Sequence, residues 1–288
     1  MSENAAFVDS RQVPPFVTSS AGRGCNRASP GRRITTMKLP ASFLQICLAA
    51  IAIWIIGQRA DAAAATTPVG VTKVTLDLAS GRVQAEVFEQ EPARMRPVVV
   101  VLHGAGGTLL DGPEMRRVAR HLAEQGNAVY VLRYFERTGT LFALDAAMQK
   151  NFGVWKATVL EALGAIQQLR GDPAPLGLYG YLLGGFLALS SASSNPRVGA
   201  VVEHAGGVWN GKMERIGKMP PVLMVHGEQD GRVPLAQYAK PLVPVLRKRA
   251  AALETRFFPN EGHTFSPAAM AEVRGAAAGF FRQHLRRR

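Results

Sequence analysis

The chain has 288 residues, of which 47% are hydrophobic, and a formal net charge of +13 at pH 7. This length suggests one large domain or two small ones, and the apolar fraction excludes a chain that is disordered throughout. The charge could attract nucleic acid or an anionic membrane. However, the basic residues are scattered, apart from Arg282 and the arginines at 286–288, and they do not alternate with aromatic residues as in single-strand binders. We therefore predict no nucleic-acid partner.

The first 62 residues predict export. Residues 1–36 are polar and show no hydrophobic period, which is typical of a disordered segment. Because a signal should stand at the N-terminus, we hypothesise that Met37 is the true start and that these residues are an extension. Residues 37–62 have a short basic start, an apolar run over 39–57 and a small-residue end at Ala60-Asp61-Ala62, the pattern of a secretory signal peptide. We expect a periplasmic or secreted protein; a membrane-anchored one is the alternative, because the run is about as long as a spanning helix.

After a linker over 63–71, the hydrophobic patterns of residues 72–288 predict one α/β domain. Two alternating segments separated by Ser80-Gly81 indicate an antiparallel hairpin. Continuous apolar runs are typical of strands that are buried on both faces. The predicted strands cover 71–78, 82–88, 97–102, 128–133, 176–179, 198–202, 221–225 and 254–258, and the predicted helices cover 112–125, 154–169, 183–191, 235–250 and 268–285. This alternation predicts a mainly parallel eight-stranded sheet with helices on both faces.

Residues 178–185 run from an apolar strand through a glycine-rich corner into an apolar helix. In the pattern G-x-S-x-G, such a corner is a nucleophile elbow, which raises one side chain above the sheet. Gly180 and Gly184 occupy the bracketing positions, where a Cβ would clash, but the residue between them is Leu182. Leucine has no atom that can attack a carbonyl, so the nucleophile position is substituted.

The motif His103-Gly104-Ala105-Gly106-Gly107 directly follows the predicted strand at 97–102. Glycines there allow backbone N–H groups to face a ligand, and with the N–H of the residue after the nucleophile they would form an oxyanion hole. By position, the donors are Ala105 or Gly106 on this motif and Leu183 on the elbow. The alternative is an ordinary glycine-rich turn between a strand and a helix.

Two later loops supply a candidate acid and a candidate base. Asp230 follows a strand, where a carboxylate can orient a histidine. Glu228 is a nearby rival, and a solvated turn is the structural alternative. His263 follows the last strand and could reach over the sheet as a general base. Several other side chains could either line the pocket or serve the fold alone, and these are His103, Trp155, Glu203, His204 and His226.

Together these four features resemble the α/β-hydrolase superfamily, and more narrowly the dienelactone-hydrolase-like proteins, over residues 72–285. The resemblance implies a hydrolase of carboxylic esters or lactones with a Ser or Cys nucleophile, an Asp and a His. Carried over by position, the acid is Asp230 and the base is His263. The nucleophile falls on Leu182, where the pattern is broken.

Leu182 leaves three hypotheses. The domain is a hydrolase by descent whose activity is impaired, or it is a pseudoenzyme in which the leucine lines an apolar pocket for a small acyl or aromatic ligand. Alternatively, the leucine is a sequencing or isolate-specific change, since one base converts the serine codons TCA and TCG to leucine codons. The intact acid, base and glycine motif favour a recent loss of activity. The expected partner is a small ester or lactone.

The sequence predicts no cofactor. It shows no metal-ligand spacing, no dinucleotide fingerprint and no phosphate loop. Its two cysteines, Cys25 and Cys47, precede the domain, so a cleaved chain would have neither a disulfide nor a thiolate nucleophile. We expect a membrane contact only if the segment 39–57 stays uncleaved.

Overall fold

The computed structural model describes residues 67–91, 96–171, 175–208, 213 and 216–285. The predicted disordered segment 1–36, the predicted signal peptide 37–62, the first residues of the linker and the basic tail at 286–288 lie outside this set. Strand β1 begins at Val69, inside the expected linker, because Val69 pairs with Gln90 at the far end of the hairpin.

The sheet has the strand order β1-β2-β4-β3-β5-β6-β7-β8. β1 is antiparallel to β2, and β2 is antiparallel to β4, whereas the remaining neighbours are parallel. The prediction of a mainly parallel eight-stranded sheet is therefore confirmed. The strands are β1 (Val69–Leu78), β2 (Gly81–Gln90), β3 (Val98–Leu102), β4 (Ala128–Leu132), β5 (Leu176–Tyr181), β6 (Val198–His204), β7 (Val222–Gly227) and β8 (Leu253–Phe258).

Helices cover both faces of this sheet. They are α1 (Gly107–Leu110), α2 (Gly112–Glu124), α3 (Asp145–Arg170), α4 (Leu183–Ala192), α5 (Leu235–Tyr238), α6 (Leu242–Arg249) and α7 (Pro267–His284), and a 3-10 turn spans Tyr134–Thr138. One apolar cluster lies between the sheet and α3, α4, α5 and α6, and a second lies between the sheet and α2 and α7. Every residue of β3, β4 and β7 is buried as a result.

Two helix predictions were wrong in their extent. Helix α3 begins at Asp145, nine residues before the predicted start. Gly153 lies inside it, and an interior glycine costs about 1 kcal/mol, so the sequence pattern suggested a boundary there. The predicted helix over 235–250 is divided into α5 and α6. Pro241 stands between them, and proline lacks the N–H that a continuous helix requires.

The parallel strands place the loops of interest at one edge of the sheet. The glycine motif follows β3, the elbow follows β5, the Asp230 loop follows β7 and the His263 loop follows β8. The carboxyl ends of parallel strands share an edge, where open α/β sheets bind ligands. Among the described residues, no helix has both the length and the apolar character needed to cross a membrane.

Candidate active site

The corner between β5 and α4 holds Leu182 in an unusual backbone conformation. Its φ is 49° and its ψ is −116°. A side-chain-bearing residue in such a sparsely populated region costs on the order of 1–3 kcal/mol, and the surrounding structure must hold it. The Leu182 N–H donates to the His204 carbonyl oxygen at 2.9 Å, and the Leu182 carbonyl accepts from Gly185 N–H at 2.8 Å. The turn therefore has the strained backbone expected of an elbow, and the residue at its apex is leucine.

The bracketing glycines are sterically required. A Cβ on Gly180 would collide with the carbonyl oxygen of Gly184, and a Cβ on Gly184 would collide with the carbonyl oxygen of Leu102 at the end of β3. The glycine motif also lies against the elbow, because a Cβ on Gly104 would be 3.0 Å from the Leu182 Cβ. The elbow and the motif thus form one closely packed corner.

Asp230 and His263 meet beside this corner. The Nδ1–H of His263 donates to Oδ2 of Asp230 at 2.8 Å, and Oδ1 of Asp230 accepts from the N–H groups of Arg232 and Val233, each at 2.8 Å. Burial alone would raise the pKa of Asp230, but the hydrogen bonds from His263 and Val233 hold this pKa below its usual value. The carboxylate is therefore charged near neutral pH, and it fixes one nitrogen of a partly exposed imidazole.

The ring of His263 lies next to the residue that precedes Leu182. The Tyr181 and His263 ring centroids are 5.7 Å apart, and the Tyr181 hydroxyl donates to the His263 carbonyl oxygen at 3.4 Å. The geometry therefore joins Asp230 to His263 and places His263 against the residue that precedes Leu182. Glu228, the rival acid, is exposed and donates its N–H to the Phe258 carbonyl. The catalytic roles of these residues stay predictions.

The glycine motif is held by a residue that the sequence patterns did not single out. The Gly106 N–H donates to Oδ2 of Asp111 at 2.9 Å. Gly106 and Ala105 are the two alternatives for the first oxyanion donor, and the N–H of Gly106 is already hydrogen-bonded to Asp111. The donor role of Ala105 stays a prediction. Leu183 is the first residue of α4, and the first amides of a helix lack partners within the helix. Its proposed donor role also stays a prediction.

Asp111 immediately precedes α2, so its residue type suggests an ordinary helix cap. Its side chain makes no capping hydrogen bond and turns to the glycine motif instead. Burial raises the pKa of Asp111, although the Gly106 hydrogen bond and the nearby His263 act in the opposite direction. An Asp four residues beyond a glycine-rich turn was the only sequence signal that could have identified it.

The remaining candidates are buried polar groups behind the corner. Glu203 is fully buried, its Oε1 accepts from Gly206 N–H at 2.5 Å, and burial raises its pKa to about 8. Oε2 of Glu203 is also buried and has no hydrogen-bond partner in the described part of the chain. His204 is buried as well; burial lowers its pKa to about 3, and its Nδ1 bonds to the Tyr179 hydroxyl at 2.9 Å. These two side chains lie beneath the site rather than in its opening.

His226, His103 and Trp155 complete the structure around the site. The Nε2–H of His226 donates to the Val233 carbonyl at 2.7 Å, and this nitrogen lies 3.5 Å from Oδ2 of Asp230. His103 stacks on Tyr134 with ring centroids 4.2 Å apart, and burial lowers its pKa to about 4. Trp155 is fully buried in the core, so it does not shape the mouth.

A cleft of about 120 Å³ opens beside the elbow. Its wall combines polar side chains with apolar ones, and the apolar ones include Leu182, Leu183, Phe186, Met148 and Val233. The Arg232 guanidinium pairs with the Asp145 carboxylate, and both side chains line the cleft. Over the described residues, no group of three or more His, Cys, Asp or Glu side chains could hold a metal ion.

These features define the α/β-hydrolase class of fold, in which loops at the carboxyl edge of the sheet carry the site. Residues 83–283 match the model of the dienelactone hydrolase family. The chain therefore belongs to the dienelactone hydrolase family. Among curated proteins, no significant sequence match was found.

Solved structures agree on the fold. A dienelactone hydrolase from Anabaena variabilis has 19% identity and a TM-score of 0.58, over 76% of this chain and 99% of that one. A dienelactone hydrolase-like promiscuous phosphotriesterase from metagenomic libraries has 22% identity and a TM-score of 0.62, over 75% and 99%. An esterase from Pyrococcus furiosus has 12% identity and a TM-score of 0.61, over 76% and 94%. At these identities the likeness shows the fold alone.

Proposed function

We propose that the domain is a carboxylic-ester or lactone hydrolase by descent, and that Leu182 impairs this copy. The observation that carries the proposal is the Asp230–His263 pair at 2.8 Å beside an elbow whose nucleophile position is Leu182. Family membership supports the reaction class. A histidine oriented by a buried carboxylate can accept a proton from a hydroxyl at the elbow. Here the elbow offers only a hydrocarbon side chain, so covalent acyl transfer has no first step.

Residual activity would depend on water. His263 could remove a proton from a water molecule, which would attack the ester carbonyl, while Ala105 and Leu183 N–H groups would stabilise the oxyanion. When a triad member of a serine protease is removed, some catalysis over water is retained, but several orders of magnitude are lost. We therefore expect hydrolysis by this copy to be slow.

The test restores the nucleophile. Hydrolysis of p-nitrophenyl acetate and p-nitrophenyl butyrate is measured for the parent chain, for Leu182→Ser and for the matched variant Leu182→Ala. The alanine variant opens the same space without a hydroxyl. We expect Leu182→Ser to exceed both others by at least about 100-fold in kcat/KM, since nucleophile and base act as a unit. Adding His263→Ala should remove the gain. A folded Leu182→Ser that stays as inactive as Leu182→Ala would contradict the proposal.

A binding function is the second candidate, and the position of Leu182 favours it. Leu182 is 8% exposed and lines the cleft beside Leu183 and Phe186. The volume of about 120 Å³ is well above the roughly 10–15 Å³ that one water molecule needs, which suits a short acyl group. Ligand that binds only the folded state raises Tm. If the cleft binds a short acyl ligand, methyl butyrate should raise the Tm of the parent chain. The rise in Tm should be smaller for Leu182→Ser.

Export through residues 37–62 is part of the same proposal. Its support is the order of basic start, apolar run and small residues in the sequence. N-terminal sequencing of the natural product should find a start after Ala62 for a cleaved signal. Residues from upstream of Met37 in that product would disprove the proposed start site.

A further inference from the structure

Exposed apolar side chains are concentrated in two short segments. Among the described residues, eight large hydrophobic side chains are exposed, and five of them belong to 109–110 and 141–144. These five are 56–71% exposed. We call them the apolar rim: Leu109, Leu110, Leu141, Phe142 and Leu144. Single exposed hydrophobic residues are normal, but a contiguous patch of several hundred Å² marks an interaction surface.

Both segments pack against the glycine motif, which brings them together. A Cβ on Gly106 would be 2.8 Å from the Leu110 Cβ, and a Cβ on Gly107 would collide with the Leu141 carbonyl oxygen. The Ala143 N–H donates to the Ala105 carbonyl at 2.8 Å. The rim is therefore built on the same loop that carries the proposed oxyanion donor.

The rim is also continuous with the cleft. Leu144 immediately precedes α3, and the first turns of that helix supply Asp145, Met148 and Gln149 to the cleft wall. A molecule that covers the rim would therefore cover the entrance to Leu182. The cleft holds only about 120 Å³, so a ligand small enough to enter it would leave most of the five side chains in water.

We propose that the apolar rim docks on an anionic lipid surface and presents the cleft to it. Residues 63–288 carry 27 Lys/Arg and 18 Asp/Glu, a formal net charge of +9, which attracts anionic headgroups and makes association with a second copy electrostatically unfavourable. Lys150 is exposed on α3, the helix that begins directly after the rim residue Leu144. The nearby carboxylates are engaged, since Asp145 pairs with Arg232 and Asp111 accepts from Gly106.

This surface extends the sequence-based expectation, which allowed membrane contact only through residues 39–57. Its catalytic consequence, that apolar esters dissolved in a bilayer reach the cleft directly, rests on the proposed function. Docking itself does not rest on it, because apolar burial and charge attraction require no chemical step.

Quenching of tryptophan fluorescence by brominated lipid tests the contact of the rim with a bilayer in the full chain. Phe142→Trp and the matched control Leu169→Trp are mixed with vesicles of equal parts phosphatidylglycerol and brominated phosphatidylcholine. Leu169 is 58% exposed and follows Asp145 by 24 residues, which is about 36 Å along a helix. Quenching of the parent tryptophans, Trp54, Trp155 and Trp209, is subtracted. We expect bromine to quench at least half of the signal that the Phe142→Trp change adds, and little of the signal that Leu169→Trp adds.

Equal quenching of the two added tryptophans would overturn the proposal, and so would the absence of quenching in both. The comparison between the two variants remains valid even if the segment 39–57 holds the chain on the vesicle. Vesicles of brominated phosphatidylcholine alone should quench the added tryptophan of Phe142→Trp several-fold less, and equal quenching would overturn the role of charge. A parent dimer that becomes a monomer in Leu110→Gln/Phe142→Gln would assign the rim to a second copy and overturn the proposal. An inactive Leu182→Ser with intact quenching would disprove only the proposed hydrolase.

Discussion

His263 and Asp230 lie 33 residues apart in the chain, yet Nδ1 of the histidine is 2.8 Å from Oδ2 of the aspartate. The other carboxylate oxygen accepts two backbone N–H groups, from Arg232 and Val233. The aspartate is thus held from both sides, and it can orient the imidazole whether or not a nucleophile is present. This pair is therefore present in a chain whose residue at the apex of the β5–α4 turn is Leu182.

The aspartate can be tested once the nucleophile is restored. In the Leu182→Ser background, we expect Asp230→Asn to lower kcat by about 10²–10⁴, since an amide stabilises the wrong histidine tautomer, as it does in serine proteases. Glu228→Gln on the same loop is the matched control and should leave kcat unchanged. Steady-state kinetics on p-nitrophenyl butyrate measure both. An Asp230→Asn variant with full activity would show that the pair is purely structural.

Asp111 should act through the glycine motif. In the Leu182→Ser background, Asp111→Ala removes the acceptor of the Gly106 N–H. We expect the glycine motif, and with it the proposed oxyanion donor Ala105, to move, so that kcat falls by about 10-fold or more. Asp111→Asn keeps a carbonyl acceptor and should retain most of the activity. Comparing kcat with KM separates a transition-state effect from weaker substrate binding. Equal losses in both variants would instead indicate that the charge matters.

The elbow glycines should be intolerant of any side chain. Gly184→Ala places a Cβ against the Leu102 carbonyl, so we expect the unfolding free energy to fall by at least about 2 kcal/mol. The control is Gly275→Ala on α7, where a Cβ meets nothing within 4 Å. That change should stabilise by up to about 1 kcal/mol, because alanine favours a helix over glycine. Urea unfolding measures both, and a neutral Gly184→Ala would contradict the packing described above.

Glu203 should make stability fall as pH rises. Burial raises its pKa from the ordinary value of 4.5 to about 8 in the folded protein. Between these pH values the folded state keeps a proton that the unfolded state has released, so the contribution of Glu203 is complete below pH 4.5 and is lost as pH rises through about 8. Glu203→Gln cannot ionise. At each pH we subtract the Tm of the parent chain from the Tm of Glu203→Gln. We expect this difference to increase by several degrees between about pH 5 and about pH 9.

The control for this measurement is Glu228→Gln, the same substitution at an exposed carboxyl group. A flat profile for Glu203→Gln would mean that Glu203 is charged in the folded protein. The scan uses calorimetry at constant ionic strength, so that screening does not vary with pH.

The sequence by itself determined the order of strands and helices, the need for glycine at 180 and 184, and the presence of a leucine between them. These depend on local periodicity and backbone sterics, which neighbouring residues in the chain specify. Helix α3 shows the limit of such patterns, since packing of Met148 and Trp155 into the core extends the helix across Gly153.

Only the tertiary structure decided which distant groups meet. It placed Nδ1 of His263 on Asp230, turned Asp111 away from its helix cap toward Gly106, and buried Glu203. It also gathered the apolar rim from segments 109–110 and 141–144. Each of these depends on how elements far apart in the chain pack at one edge of the sheet, and no local pattern encodes such a contact.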